Sequence, residues 1–362
     1  MKIAQMTGAY YNAGDFLIQE RANALLKYVF PSAEVIIYQA KEDSISRFDE
    51  INACDAIVIE GGPYILEVVQ YDLPLEQYMR FNPPIMMLGV GQYGTNGSKE
   101  YNYSMKFTEA TLALFKKVTE HGYGISCRDI YTYRALLNEN LSNVYMTGCP
   151  AWYNLPTIHN LYIHKDSEIY HICVSDPAKG ENNDQLLELL SFLEKRYPHA
   201  KISYVIHRDV NTYLCDTIKH EFPDVEIVVI NGSAEGFSIY DSCDLHIGYR
   251  VHAHIYNLSI RNRSILIEED ARGAGVNEAL GTIRITAYDD TLQRIPRKLL
   301  FFMKGRKIKR NIHVIKELSA YLDVCEQTNW KYVENAFLLQ EVYYERMKDF
   351  VLRLGIYQLK NT

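Results

Sequence analysis

At 362 residues the chain is longer than one hydrophobic core usually serves, and its 48% hydrophobic and 23% charged residues exclude a disordered or fibrous protein and point to two domains of ordinary globular type. A net charge of −7 excludes general nucleic-acid binding, which needs a broad basic face to neutralise phosphates, so no nucleic acid is expected as a partner.

The opening segment Met1-Lys2-Ile3-Ala4-Gln5-Met6 runs straight into a strand pattern without the apolar core of a signal peptide, and no apolar run reaches the ~18–20 residues that span a bilayer. The expected location is the cytoplasm. Strand patterns follow at Glu34–Tyr38, Ala56–Glu60, Ile85–Gly89, Gly124–Cys127 and Asn143–Met146. Helical spacing is clearest at Asp15–Val29, Ser104–His121 and Ile130–Asn138. After Gly148-Cys149-Pro150 the series restarts, with strands at Ile169–Val174, Ile202–His207, Val225–Ile230, Leu245–Gly248 and Ile265–Ile267, and helices at Gln185–Arg196, Asn211–Phe222 and His252–Leu258. Two successive blocks of this alternation predict an α/β protein with two Rossmann-like domains, residues 1–150 and 151–290, facing each other across a ligand cleft. From Thr291 onward the pattern is helical only, and residues 291–362 are expected to brace the two domains.

The strand ends carry the chemistry. Asn12-Ala13-Gly14-Asp15 opens the first helix, where amides and the helix dipole suit an anion or a hydroxyl, although Asp15 would equally serve as a cap. Glu60-Gly61-Gly62 and Gly89-Val90-Gly91 end strands in glycines that admit a ligand or a neighbouring backbone. At Ser126-Cys127-Arg128-Asp129 a guanidinium reaches the edge and Asp129 is placed to cap the next helix. The second block ends its strands in His207-Arg208-Asp209, Asn231-Gly232-Ser233, Arg250-Val251-His252 and Glu268-Glu269-Asp270-Ala271-Arg272. Charged and polar groups at four strand ends in a row point to a polyanionic ligand, held by guanidinium forks with imidazoles at hand for proton transfer.

Three features stand apart. The seven cysteines are scattered, odd in number and never spaced C-x-x-C, so they read as reduced, mostly buried thiols, and no metal site is expected. Tyrosines gather at Tyr10, Tyr11, Tyr64, Tyr71, Tyr78, Tyr93, Tyr101 and Tyr103, where a sugar cleft is conceivable but amphipathic packing is the simpler account. Residues 294–310 place eight Lys and Arg around Leu299-Leu300-Phe301-Phe302-Met303, a pattern that suits peripheral contact with the inner face of a membrane or, more simply, a solvated helix packed on the second domain.

Taken in order, Asn12 to Asp15, Gly61-Gly62, Gly89-Val90-Gly91, Ser126 to Asp129, Gly148-Cys149-Pro150 and Asp244 to His252 make the chain similar to the polysaccharide pyruvyl transferase family. The resemblance implies a two-domain fold like that of GT-B glycosyltransferases. It also implies an enzyme that moves a pyruvyl group from phosphoenolpyruvate onto hydroxyls of a glycan or glycan precursor, for instance a lipid-linked sugar, as a ketal. No cofactor is implied, phosphoenolpyruvate being the donor substrate. Arg250 and His252 are then expected to hold the donor, with Arg128, His207, Gly61 and Gly62 as further contacts. His252 is the first candidate for the general acid, ahead of His207 and His254, and Asp15 is expected to orient or deprotonate the acceptor hydroxyl. Glu269 or Asp270 would stabilise a developing oxocarbenium or meet the acceptor. The run Asp270-Ala271-Arg272-Gly273-Ala274-Gly275 departs from the Lys-containing loop usual in the family. Two other readings fit the same strand ends: a GT-B glycosyltransferase using a nucleotide sugar, and a non-catalytic binder of an anionic metabolite or glycan.

Overall fold

The computed structural model describes residues 1–62, 74–92, 105–160, 168–230, 232–289 and 310–361. Short apolar runs pair side by side because helical crossovers return the chain to the same edge each time, which yields parallel strands buried on both faces. The first sheet contains β1 (Lys2–Thr7), β2 (Glu34–Gln39), β3 (Ala56–Glu60), β4 (Ile85–Val90), β5 (Gly124–Cys127) and β6 (Val144–Met146). Its spatial order is β2-β1-β3-β4-β5-β6, parallel throughout. Around it pack helices α1 (Ala13–Val29), α2 (Glu109–Glu120) and α3 (Ile130–Leu137). The second sheet contains β7 (His171–Ser175), β8 (Lys201–Ile206), β9 (Glu226–Val229), β10 (Leu245–Gly248), β11 (Arg263–Glu268) and the two-residue β12 (Ile285–Thr286), in the order β12-β11-β10-β7-β8-β9. Its helices are α4 (Asn183–Arg196), α5 (Thr212–Glu221), α6 (Val251–Ser259) and α7 (Ala271–Leu280).

Both α7 and β12 lie within the expected second domain, residues 151–290, but go beyond its predicted elements, of which the strand Ile265–Ile267 was the last. The reasons are local: Gly273 and Gly275 weaken any helical signal in α7, and two residues are too few to show alternation. The helix read from Ser104 begins at Glu109, because Thr108 caps it by accepting the Thr111 N–H at 3.2 Å.

Two helices close the chain, α8 (Val314–Gln327) and α9 (Lys331–Asn361). Gln340 of α9 donates to the Trp152 carbonyl at 3.4 Å and accepts from Arg261 Nη1 at 3.1 Å, while Arg353 reaches the Tyr123 carbonyl at 3.1 Å. Helix α9 therefore touches both sheets' surroundings. The stretch 294–309 lies outside the described residues, as do Tyr64, Tyr71, Tyr93, Tyr101 and Tyr103. Arg310 is described, and it pairs with Glu188 and, at 3.7 Å, with Asp184. All seven cysteines are buried and none is bridged. Among the described residues no helix is long and apolar enough to cross a membrane.

Candidate active site

Both sheets turn their carboxyl-terminal edges toward one cavity of about 520 Å³, as open parallel sheets do at their ligand sites. The first domain lines it with Tyr10 to Asn12, Asp15, Glu60 to Gly62 and Arg128. The second lines it with Asp176, His207 to Asp209, Arg250 to His252, Glu268 to Asp270 and Arg272. The domains also touch here: the Ala13 N–H donates to the His207 carbonyl at 3.3 Å, and the Gly232 N–H to the Tyr11 carbonyl at 3.0 Å.

On the second-domain side the charges are tied to one another. Asp176, which follows β7, takes Arg250 in a bidentate pair, with Nε at 2.8 Å from one oxygen and Nη2 on the other, and it also accepts the His207 N–H at 3.1 Å. The His207 ring is turned to Tyr240, with Nε2 at 2.7 Å from the hydroxyl, and packs edge-on against Phe237. Burial, reinforced by the charge of Arg250, holds its pKa well below the usual histidine range. His207 lines the cavity with its ring on Tyr240, its N–H on Asp176 and its carbonyl on Ala13. His254 lies deeper still, with Nδ1 at 2.8 Å from Ser264 Oγ, and burial lowers it to about 3. It does not line the cavity.

The Glu269 carboxylate accepts the Ala178 N–H at 2.8 Å, the Lys179 N–H at 3.1 Å and Asn182 Nδ2 at 2.6 Å, so it fastens the loop after β7. Asp270 caps α7 through the Arg272 N–H at 3.0 Å and grips the Arg272 guanidinium at 3.0 and 2.7 Å. Burial pushes the Asp270 carboxyl up, but Arg272 outweighs it and the net shift is downward. Both residues line the cavity with these partners in place.

The first-domain side is built differently. Asn12, not Asp15, caps α1, accepting the Gly14 N–H at 3.3 Å; Asp15 sits in the first turn and accepts from Asn12 Nδ2 at 3.2 Å. Gly14 is required by what lies above it, since a Cβ there would stand 2.0 Å from His252 Nδ1. The imidazole thus rests on the start of α1 and makes no hydrogen bond to a described residue. Burial, then the charges of Arg128, Arg272 and Arg250, lower His252 to about 3, so its ring is neutral at pH 7. Arg128 is buried, donates to the Gln92 carbonyl at 3.0 Å and neighbours Asp129 at 3.4 Å. Asp129 caps α3 as expected, accepting the Thr132 N–H at 2.8 Å. Past Glu60 the chain turns at Gly61 and Gly62, with φ of 23° and 84°, a region that favours glycine. Glu60 itself is 2% exposed and accepts from Gln5 Nε2.

The cavity therefore gathers Asp15, Gly61, Gly62, Arg128, His207, Arg250, His252, Glu269 and Asp270, the residues singled out in the sequence, and it adds Glu60, Asp176 and Arg272. The signal for Asp176 was available, because it too ends a strand. Arg272 was visible in the closing acidic run, and Glu60 precedes the glycines that drew attention. Of the tyrosines, Tyr10 and Tyr11 line the cavity, whereas Tyr78 is buried and donates to the Ala40 carbonyl at 3.0 Å. Among the described residues no group of His, Cys, Asp and Glu is placed to hold a metal ion.

A family model for polysaccharide pyruvyl transferase matches residues 12–256. No curated protein matches the sequence. Among solved structures the chain is similar to the S. aureus MnaA-UDP co-structure, at 10% identity over 93% of this chain and 92% of that one, with a TM-score of 0.57. It is also similar to a putative UDP-N-acetylglucosamine 2-epimerase from Listeria monocytogenes, at 10% identity over 93% and 90% with a TM-score of 0.52. A further UDP-N-acetylglucosamine 2-epimerase matches at 10% identity over 99% and 96%, with a TM-score of 0.58. At such identities the likeness concerns the fold alone, two facing parallel-sheet domains of the GT-B type.

Proposed function

The chain belongs to the polysaccharide pyruvyl transferase family and is an enzyme of that kind, and from that premise we propose that it moves a pyruvyl group from phosphoenolpyruvate to hydroxyls of a glycan or glycan precursor, forming a ketal. The observation that carries this reading is the set of guanidinium groups of Arg128, Arg250 and Arg272 around one imidazole, each close enough to depress it. Such a cluster suits a donor with both a carboxylate and a phosphate. Asp176 occupies Nε and one N–H of Nη2 of Arg250, so Nη1 and the second N–H of Nη2 are what that residue has left for a donor oxygen.

Because His252 is neutral before the donor arrives, it enters the reaction as a base, the reverse of the acid role expected from the sequence. A polyanionic donor offsets the guanidinium charges, raises the imidazole's proton affinity and lets it take the acceptor hydroxyl's proton as the C–O bond forms. Asp15, at the start of α1 beside that ring, orients the hydroxyl. Arg272 stands in the place of the missing lysine as a donor contact.

The test is phosphate release from phosphoenolpyruvate with a pooled set of nucleotide- and lipid-linked hexoses, comparing the native enzyme with His252→Ala and Arg272→Ala. Acceptor-dependent release lost in His252→Ala and weakened in Arg272→Ala supports the reading and the site together. Stabilisation by nucleotide sugars alone, with none by phosphoenolpyruvate, overturns it in favour of a nucleotide-sugar glycosyltransferase. Stabilisation by phosphoenolpyruvate without turnover on any acceptor leaves a binder of that anion.

A further inference from the structure

Ketal formation needs a proton on the methylene carbon of the donor, and a neutral His252 does not supply it. We propose that Glu60, at the carboxyl end of β3, is the general acid that delivers this proton, an assignment that rests on the pyruvyl-transfer reading. Four observations meet at this residue. It lines the same cavity as Asp15, Arg128 and His252. It is 2% exposed. Its carboxyl is pinned by neutral groups, accepting from Gln5 Nε2 and bonding the Thr7 side chain, while Gln5 is itself fixed by the Gln19 carbonyl at 2.9 Å and by Asn23 Nδ2 at 3.0 Å. Finally, Ile18 of α1, which also lines the cavity, packs so closely over Gly61 that a Cβ there would stand 2.4 Å from it, placing an apolar side chain next to the carboxyl end of β3.

Among the described residues, the groups that face Glu60 from neighbouring elements do not ionise it. Strand β1 offers only Gln5 and Thr7, α1 offers Asp15, whose charge disfavours a second carboxylate, and the turn after β6 offers the Cys149 thiol, itself pushed up to about 12 by burial. Burial first, then Asp15, raise Glu60 to about 8 against the hydrogen bonds from Thr7 and Gln5. At pH 7 the side chain is a neutral acid with a proton to give.

The step balances. The enol π pair takes the Glu60 proton and the methylene becomes a methyl. The first hydroxyl oxygen bonds the ketal carbon, and its proton passes to His252. A second hydroxyl then bonds the same carbon as the C–O bond to phosphate breaks. The leaving phosphate takes the His252 proton, and the second hydroxyl's proton restores Glu60.

The experiment uses the full chain and Glu60→Gln, which keeps size, hydrogen bonding and the neutral state, with Glu60→Asp alongside. Acceptor-dependent phosphate release should fall about 10²- to 10⁴-fold in Glu60→Gln, with phosphoenolpyruvate still stabilising the variant as it does the native enzyme. The native rate should decline above pH 8, and Glu60→Asp should retain part of the rate with a displaced alkaline limb. Glu60→Gln turning over within threefold of native, or a native profile flat from pH 7 to 9, overturns the assignment and leaves the pyruvyl-transfer reading standing. A native enzyme without acceptor-dependent release overturns both. Thermal unfolding reads the protonation separately: a carboxyl whose folded value of about 8 exceeds the ordinary 4.5 loses stability as pH rises between them, so Glu60→Gln should gain on native protein across that window and level off above it. A constant gap would mean Glu60 is an ordinary carboxylate and could not be the acid.

Discussion

Asp176, Asp270 and Glu269 on the second-domain wall of the cleft are each bound to a charged fork or a row of amides, whereas Glu60 on the first-domain wall is held by neutral side chains. The contrast separates two uses of charge. A buried carboxylate with its counter-ion in place fixes geometry, here the poses of Arg250 and Arg272. A buried carboxyl without one keeps its proton. His252 crosses between the walls: it starts from the second domain, rests on the first helix of the other, and is neutral because burial and the guanidinium groups around it forbid a second positive charge.

The strongest way to break this comparison is to cut the frame. Asp176→Asn takes from the partly buried Arg250 guanidinium the carboxylate it is forked to, leaving only the more distant charge of Glu269, and should cost about 3 kcal/mol in urea unfolding, with loss of donor binding. A cost near that of an exposed pair such as Arg47 with Glu50, below about 1 kcal/mol, would mean the second-domain wall is not held by its ion pairs.

Gly14→Ala tests the crossing point. Its new Cβ collides with Nδ1 of His252, so the ring must leave α1. Acceptor-dependent phosphate release should drop by about 10²-fold or more, matching His252→Ala. Activity close to native would show that the imidazole does no work from that position. A smaller effect is expected of Arg272→Ala, which removes one charge-assisted contact of about 1.5–3 kcal/mol to the donor, read as a weaker thermal shift with phosphoenolpyruvate. It also strips Asp270 of its partner, so the unliganded variant should lose a little stability.

How much of this could be read from the residues alone follows from what each depends on. Arg128, Arg250, His252 and Asp15 were legible because a strand that ends in a charged residue places it at the sheet edge by pattern alone. The commitments of those residues were not. Arg250 meets Asp176 across 74 positions, and Glu60 meets Gln5 across 55. The direction of the His207 ring toward Tyr240 and the hydrogen bonds of Glu269 to the loop after β7 are likewise set by tertiary packing. Helix α7 escaped notice because of its glycines, yet Gly275 is there for a tertiary reason: a Cβ would stand 2.9 Å from Asp129 of the other domain.

The smallest expected effect is a pH asymmetry between the walls. His207, His246, His252 and His254 all belong to the second domain, and burial is the leading cause that lowers each of them. A histidine whose folded pKa lies below its unfolded value charges first in the unfolded chain, so stability rises with pH up to about 6.5 and is lost below it. Glu60 has the opposite sign, costing stability as pH climbs toward 8. Amide exchange corrected for its intrinsic pH dependence should therefore quicken in 245–259 relative to 56–60 between pH 7 and pH 5, and the order should invert between pH 7 and pH 9. Equal responses in both segments would mean the two walls open as one unit and that their different handling of charge stops at the site itself.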